Sequence, residues 1–564
     1  MAKADNILFI MCDQLRWDYL SCYGHPSLHT PHLDALAAWG VRFSRAYVQS
    51  PVCGPSRMSY YTGRYVQSHG SSWNFVPLKA GEMTIGDHLR PLGVQTVLVG
   101  KTHMRADIMG MLRMGIDPNS EVGVRLSECG FEPYERDDGL HPNSGHDPNP
   151  RYSDYLRAHG FDGENPWEEW VNSAEGENGE LHSGWFLKNS NLPARIPAEH
   201  SETAYMTQRA MDFITEASEQ PWCLHLSYIN PHWPYMAPEP YATMYGPEDV
   251  VPVVRSEQER ENPHPVYGAF MRHQMSKAFC QDQVRDIVIP AYMGLVKQVD
   301  DEIGRLLGFL EERGLRDNTM IIFCADHGDY LGDHWLGEKE LFHEPSVRTP
   351  LIICDPDSAA DGTRGRVCDQ LVEAVDLAPT FLDVYGGYPQ PHIFDGRSLL
   401  PLLHGETPED WRKYVVSEYD YSFQEAKVEL ETKPLDAWMR MIFDGRYKYI
   451  LAEGFCPLLF DLQEDPQELM DRGNDPELAD ERARLHELLF EWARRPRQRN
   501  TVPDGIIEIA SVQRRITEGG ILIGFVDEED ILEKRSDWRP LRSSSNPVLK
   551  HVIGGQHNFK GEKP

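Results

Sequence analysis

Positive charge is scarce in this chain: 55 Lys and Arg stand against 88 Asp and Glu, a net charge of −33. That deficit argues against a nucleic-acid binder and against a peripheral anchor on anionic lipid, since both need basic surface. It leaves an anionic substrate open. Screening is nearly complete beyond about 10 Å, so a local cluster of Lys, Arg and His can still hold a sulfate or phosphate. Long apolar runs are missing as well, and none approaches the roughly 20 residues of a membrane span. The opening MAKADNILFIMCDQ lacks the basic start, long apolar stretch and small-residue cleavage site of a secretory signal. Cysteine is sparse, ten in 564 residues, and scattered. Cys12, Cys324 and Cys354 lie in or beside apolar runs and read as reduced core residues. The expectation is a cytoplasmic protein without a disulfide framework. No internal repeat is visible.

What the chain has is 40% apolar residues, ample for a core, and 45 Gly with 41 Pro, which point to many loops. Its length exceeds that of a single core, so one large domain and a smaller one are expected. Short runs of strand formers occur at 6–12 (NILFIMC), 96–100 (TVLVG), 223–228 (CLHLSY), 319–325 (TMIIFCA) and 350–354 (PLIIC). Helical patterns separate several of them. One covers 30–40. The clearest covers 292–314, with Leu295, Val296, Val299, Ile303, Leu306, Leu307 and Leu310 on one face. Buried strands alternating with amphipathic helices imply an α/β sheet covered on both sides, with ligands beyond the carboxyl ends of its strands. Asp13 and Asp326 both stand just past a strand.

Residues 104–200 are polar and weakly periodic. They read as excursions over a site, with a plain surface insertion as the alternative. After about residue 410 the character changes. Residues 441–451 (MIFDGRYKYIL) predict a hairpin turning at Asp444-Gly445, 458–462 another strand and 478–494 an amphipathic helix. The tail, 501–564, has two apolar patches, 506–509 and 521–525. It is too short for its own core, so it should pack on the body or on a neighbouring subunit.

Three groups of residues carry chemistry. In SPVCGPSRMSYYTGR (50–64) a turn at Cys53 precedes a helix from about Ser56. A thiol near a helix start and beside Arg57 would be a nucleophile; a structural thiol in a turn is the competing reading. Asp13 and Asp326-His327 follow buried strands, where carboxylates are costly unless neutralised. A divalent cation would neutralise them, whereas helix N-capping is the plainer role. Oxygen ligands favour Ca2+, Mg2+ or Mn2+, and His327 tilts the choice toward Mn2+. Lys101-Thr102-His103, His232 and Lys339 are each weak alone, since an exposed Lys is usually solvated and a loop His usually packed. His25, His29 and His32 lie in a Pro-containing loop and helix start and read as structural. His334 and His343 near Lys339 stay ambiguous.

Cys53-Gly54-Pro55-Ser56-Arg57, with Thr62-Gly63-Arg64 downstream, resembles the Cys-x-Pro-x-Arg signature of formylglycine-dependent sulfatases, members of the alkaline phosphatase superfamily. The resemblance covers roughly the first 400 residues strongly and those to about 500 more loosely. It implies an alkaline-phosphatase-like α/β fold: a large, mainly parallel mixed sheet flanked by helices at 1–410, a small α+β subdomain at 411–500 and the tail at 501–564. It also implies that Cys53 is oxidised to formylglycine by a formylglycine-generating enzyme. One metal, Mn2+ or Ca2+ with Mg2+ as a third choice, would be held by Asp13, Asp326, His327 and the modified Cys53, with Gln14 a further ligand. Arg57, Lys101, His103, His232 and Lys339 would be catalytic, and Asn74 would contact substrate. Many sulfatases carry Asp at the position of Gln14 and Asn at that of His327. Gln14, Gly54 and His327 instead resemble phosphonate monoester hydrolases, which do not typically carry the Lys101/His103 pair. The implied activity is hydrolysis of a small sulfate ester of arylsulfatase type, with phosphonate monoester or phosphodiester hydrolysis as the alternative. A homo-oligomer, dimer or tetramer, is expected, without nucleic acid or membrane as partners.

Overall fold

A strand buried on both faces must send apolar side chains to both, and residues 6–12 do so. In the computed structural model, which describes residues 4–141, 151–217, 219–497, 499–505 and 507, they form β1 (Asn6–Asp13), buried throughout. Ile7, Phe9 and Met11 enter one core and Leu8, Ile10 and Cys12 the other, which is the period-2 alternation of a central strand. The strands that follow are β2 (Val41–Tyr47), β3 (Gln95–Gly100), β4 (Glu132–Arg136), β5 (Ser173–Glu175), β6 (Leu181–Ser183), β7 (Trp222–Pro231), β8 (Thr319–Ala325), β9 (Arg348–Cys354), β10 (Arg366–Cys368) and β11 (Val372–Glu373). The main sheet runs β10-β2-β9-β8-β1-β7-β3-β4, with β11 also paired to β2. Only β9 runs against its neighbours; the other pairings are parallel. Thus β1, β3, β4, β7 and β8 deliver their carboxyl ends to one edge of the sheet, where ligands of such sheets bind.

Helix Asp282–Glu312 covers one face with Val288, Ile289, Tyr292, Val296, Val299, Ile303, Leu306 and Leu310. Helices Cys53–Thr62 and Leu377–Val384 cover the other, through Met58, Tyr61 and Phe381. The long helix starts ten residues before the expected 292, because Pro290 inside it reads as a breaker in sequence and conceals its first turns. The expected helix from Ser56 begins at Cys53 itself, Val52 preceding it in extended conformation.

Residues 104–200, weakly periodic in sequence, carry elements of their own. They contribute the edge strand β4, helices Ile108–Arg113, Glu121–Ser127 and Arg151–Ala158, and the β5–β6 hairpin. An edge strand pairs on one side only and tolerates proline, so EPYER gives no apolar run to read.

The second sheet is antiparallel, β12 (Val415–Asp420), β13 (Trp438–Phe443), β14 (Tyr447–Ala452) and β15 (Leu458–Asp461) in order. Gly445, at φ 94, turns the expected hairpin. Ile442, Tyr449 and Leu459 receive Leu485, Leu489 and Trp492 of helix Ala479–Arg494. Met439, Met441 and Ile450 belong to the core of the main sheet. Buried Lys448 of β14 is held by Glu344 at 2.9 Å and Glu468 at 2.6 Å. The described residues up to Arg497 form one compact unit. The reading of the tail as a packing or subunit contact falls, apart from residues 501–505 and 507, outside the described residues. Among the described residues no helix is long and apolar enough to cross a membrane.

Candidate active site

Along that carboxyl edge the chain places Asp13 at the end of β1, Lys101 after β3, His232 after β7 and Asp326 after β8. Helix Cys53–Thr62 points its first residue at the same place. Ser56 fixes its start, the hydroxyl donating to the Asp326 carbonyl at 2.5 Å. Gly54 is needed for close approach: a Cβ there would stand 2.8 Å from Oδ1 of Asn74, and that oxygen accepts from the Gly54 amide at 2.8 Å. Asn74 thus braces the nucleophile turn and also lines the cleft.

Around the Cys53 sulfur stand His327 Nε2 at 3.1 Å, Lys339 Nζ at 3.3 Å and Asp13 Oδ1 at 3.6 Å. Arg57 lies one turn along the same helix and is fully buried. Its guanidinium donates to Asp326 at 2.7 Å, Asp13 at 3.2 Å, the Lys101 carbonyl at 2.8 Å and Ser227 Oγ at 2.8 Å. Lys101 Nζ reaches Asp13 at 2.5 Å. Two buried carboxylates therefore face Arg57, Lys101 and Lys339, an excess of positive charge suited to an anionic substrate. Burial opposes charge on Asp13, but Lys101, His232 and Arg57 hold its carboxyl well below the usual range. Burial, with Asp13 next, pushes the Cys53 thiol up to about 12. As a plain cysteine it is therefore protonated at neutral pH and a poor nucleophile.

Asp13, Cys53, Asp326 and His327 offer ligand atoms that all lie within 4.8 Å of one another. His327 Nδ1 sits 2.9 Å from the Gly328 carbonyl and must donate to it, so the lone pair of Nε2 faces the cluster. Two carboxylates, an imidazole and the side chain at position 53 fit a divalent cation. Gln14, at φ 63, is turned another way. Its amide donates to Asp329 at 2.5 Å, and its carbonyl accepts from Lys339 at 3.0 Å. His232 Nδ1 lies 2.6 Å from the Trp233 carbonyl and Nε2 3.4 Å from Lys339 Nζ. His103, at φ 52, is tied by its amide to Asp138 at 3.2 Å, and its buried Nδ1 has no partner among the described residues. Burial first, then Lys101, lowers the His103 pKa, which keeps the ring neutral.

All the residues expected from sequence stand in or beside this centre. His25, His29 and His32 do not join it; His25 Nδ1 accepts from the Leu28 amide at 2.9 Å, as a structural residue would. His334 and His343 stack on each other at 3.7 Å between ring centroids, and each is buried. Sequence reading missed Ser227, Asp329, Tyr235 and Asp138. Ser227 was findable, a polar residue inside the apolar run CLHLSY. Tyr235 donates to Asp329 at 2.8 Å, a pairing across 94 residues that no local pattern shows. The cleft above Cys53 encloses about 970 Å³ and is lined by Trp73, Asn74, Lys101, His103, His232 and Lys339, among others.

Cations gathered around a single buried position, on the carboxyl edge of a mainly parallel sheet, place the chain among the hydrolases of alkaline-phosphatase-like fold. The Sulfatase family profile matches residues 5–110 and 127–388, and the profile for the C-terminal part of N-sulphoglucosamine sulphohydrolase matches 332–495. The chain belongs to the sulfatase family. It is similar to the multifunctional alkaline phosphatase superfamily protein PehA of Trinickia caryophylli, 31% identical over 84% of this chain and 92% of that one. An arylsulfatase of Clostridium perfringens is 28% identical over 86% and 93%. Among solved structures, the phosphonate monoester hydrolase of Silicibacter pomeroyi superposes with a TM-score of 0.75 at 30% identity, over 86% of this chain and 94% of that one.

If the buried carboxylates hold a cation, extraction should cost both function and stability. Dialysis against a chelator is expected to abolish ester hydrolysis and to lower the melting temperature. Mn2+ or Ca2+ should restore both, since an ion bound only by the folded state stabilises it by mass action. Calorimetry and activity on the same sample check this.

Proposed function

We propose that the chain hydrolyses sulfate monoesters of arylsulfatase type, with formylglycine at position 53 as the nucleophile. The observation that carries this reading is the Cys53 side chain lying within reach of His327, Lys339 and Asp13 at once. A divalent cation in the Asp13, Asp326 and His327 set would polarise the ester and favour the ionised nucleophile. Formylglycine hydrates to a gem-diol, and Arg57, by fixing Asp13 and Asp326, orients the site in which one hydroxyl attacks sulfur. Lys101 and Lys339 stabilise charge on the non-bridging oxygens. His232 Nδ1–H donates to the Trp233 carbonyl, so Nε2 accepts from Lys339, and Lys339 with His232 then carries a proton to the leaving alcohol or phenol. His103, neutral and with Nδ1 free, takes the proton of the second hydroxyl. The C–O bond to the sulfate breaks, sulfate leaves and the aldehyde is restored, without water attacking sulfur. The maturation partner of this reading is a formylglycine-generating enzyme.

A second reading has its own support. Gln14, Gly54 and His327, together with the likeness to the Silicibacter pomeroyi enzyme, favour phosphonate monoester or phosphodiester hydrolysis by the same residues. The Lys101/His103 pair favours sulfate. Paired kinetics on one aryl sulfate and one aryl phosphonate monoester decide between them. The expected result is a higher kcat/KM for the sulfate, by about tenfold or more, which corresponds to about 1.4 kcal/mol of transition-state discrimination. A higher value for the phosphonate overturns the assignment to sulfate and leaves the nucleophile in place. The cytoplasmic location and the homo-oligomer remain part of the proposal.

A further inference from the structure

The edge strand β4 is followed, as β8 is, by a carboxylate. Asp137 follows Arg136 directly and is buried. Gly139, at φ 79, then turns the chain so tightly that a Cβ would stand 2.6 Å from Ile229. The turn returns His141 to Asp137, with Nε2 2.7 Å from Oδ1, while the Gly139 amide donates to the same oxygen at 2.8 Å. The third member arrives from far along the chain. Glu202 is the first residue of helix Glu202–Glu216, and Ser201 before it accepts from the Ala204 amide at 3.3 Å. A Glu at a helix start normally reaches into solvent, yet Glu202 is only 8% exposed. The ligand atoms of Asp137, His141 and Glu202 lie within 4.8 Å of one another, as those of the catalytic set do.

Two buried carboxylates at that separation need a cation or a shared proton between them. Among the described residues neither forms an ion pair with Lys or Arg. Oδ2 of Asp137, Oε1 of Glu202 and Oδ1 of Asn172 are buried acceptors without a hydrogen bond of good geometry among the described residues, and an orphaned donor beside them, the Trp167 indole N–H, faces the Glu202 carboxyl. Glu202 and Asn172, with Trp167 and Gln298, line an inner cavity of about 40 Å³, room for a water-sized ligand. Asp137 and His141 line the catalytic cleft, and Leu140, His232 and Trp233 line both spaces. The three residues thus stand in the wall between the cleft and the inner cavity.

We infer that Asp137, His141 and Glu202 form a second metal site, distinct from the Asp13, Asp326 and His327 set, which takes a first-row divalent cation such as Zn2+ or Mn2+. One imidazole nitrogen with two carboxylate oxygens is a donor set of borderline hardness, suited to those ions rather than to Ca2+, which prefers six or more oxygens. The cation would replace the missing donors of the orphaned oxygens. It would also pin the turn after β4 to helix Glu202–Glu216, across the wall that carries His232.

The test is metal content of the full chain after equilibration with Zn2+, and separately with Mn2+, and removal of unbound ion. Elemental analysis per chain is expected to give two ions for the unaltered protein with one of these metals. The Asp326→Asn and Glu202→Gln variants should hold one each, and the double variant none. Asp137→Asn repeats the Glu202 arm should Glu202→Gln fail to fold. A content of one ion that Asp326→Asn abolishes and Glu202→Gln leaves unchanged would overturn the site and assign the carboxylates a shared proton. Two ions that survive in both Glu202→Gln and Asp137→Asn would overturn it equally, because the second ion would then lie elsewhere.

Discussion

Cys53→Ala is expected to lose ester hydrolysis by about four to six orders of magnitude, the range seen when a covalent nucleophile is removed from an otherwise intact site. The loss should come without unfolding. The side chain is buried within the first turn of its helix, and shortening it there to the methyl of Ala should move stability by about 1 kcal/mol or less. Cys53→Ser separates the proposed chemistry from that of a simple alkoxide. A serine hydroxyl can attack sulfur and release the alcohol, yet it has no second hydroxyl from which the C–O bond to the sulfate can be broken. The Ser variant should therefore release one equivalent of alcohol and stop, with a sulfate ester retained on the Ser. Burst kinetics and the mass of the intact chain check this. A Ser variant that turns over steadily would favour direct attack of water on the intermediate.

Arg57→Ala is expected to be costly in two ways. Its guanidinium is the shared partner of Asp13 and Asp326, all three side chains being fully buried. Removing one partner of a buried ion pair leaves charge without compensation and costs about 3–5 kcal/mol. Lys101 still faces Asp13, so the unpaired charge falls mainly on Asp326. Activity should fall by about 10^3-fold, the scale of losing one preorganised electrostatic group. Arg57→Lys should recover part of the stability and little of the activity. A single ammonium can face one carboxylate, whereas Arg57 donates to Asp326, Asp13, Ser227 and the Lys101 carbonyl together. Urea unfolding of the metal-free protein and kcat with metal present, measured on both variants, check this.

The site was more legible in the sequence than the fold around it, and the reason is physical. Residues that must meet one small group come from strand ends and one short motif, so Asp13, Asp326-His327 and Cys53 to Arg57 stand out locally, but local pattern left structural and capping roles open and it was the resemblance of Cys53 to Arg57 to a family signature that joined them into one site. Central strands such as β1 and β8 also mark themselves, because burial on both faces demands continuous apolar runs. Strands β2 and β4 do not. VRFSRAY carries polar residues at the half-buried Arg42 and Ser44 and the exposed Arg45, and EPYER pairs on one side only. Pro290 hid the start of the longest helix because a proline can sit within a helix whose neighbours compensate for its lost hydrogen bond. The Asp137, His141 and Glu202 cluster left no signal at all. Its members are four and sixty-one residues apart, and only the fold brings them together.

The central claim is that position 53 carries an aldehyde, and mass spectrometry of the peptide containing it tests this most directly, on protein produced together with a formylglycine-generating enzyme. The expected result is a peptide about 18 Da lighter than the cysteine form, or its hydrate at about the cysteine mass, with the aldehyde trapped by a hydrazine reagent. An unmodified thiol in protein that still hydrolyses esters at full rate would contradict the account and assign the attack to a thiolate or a water.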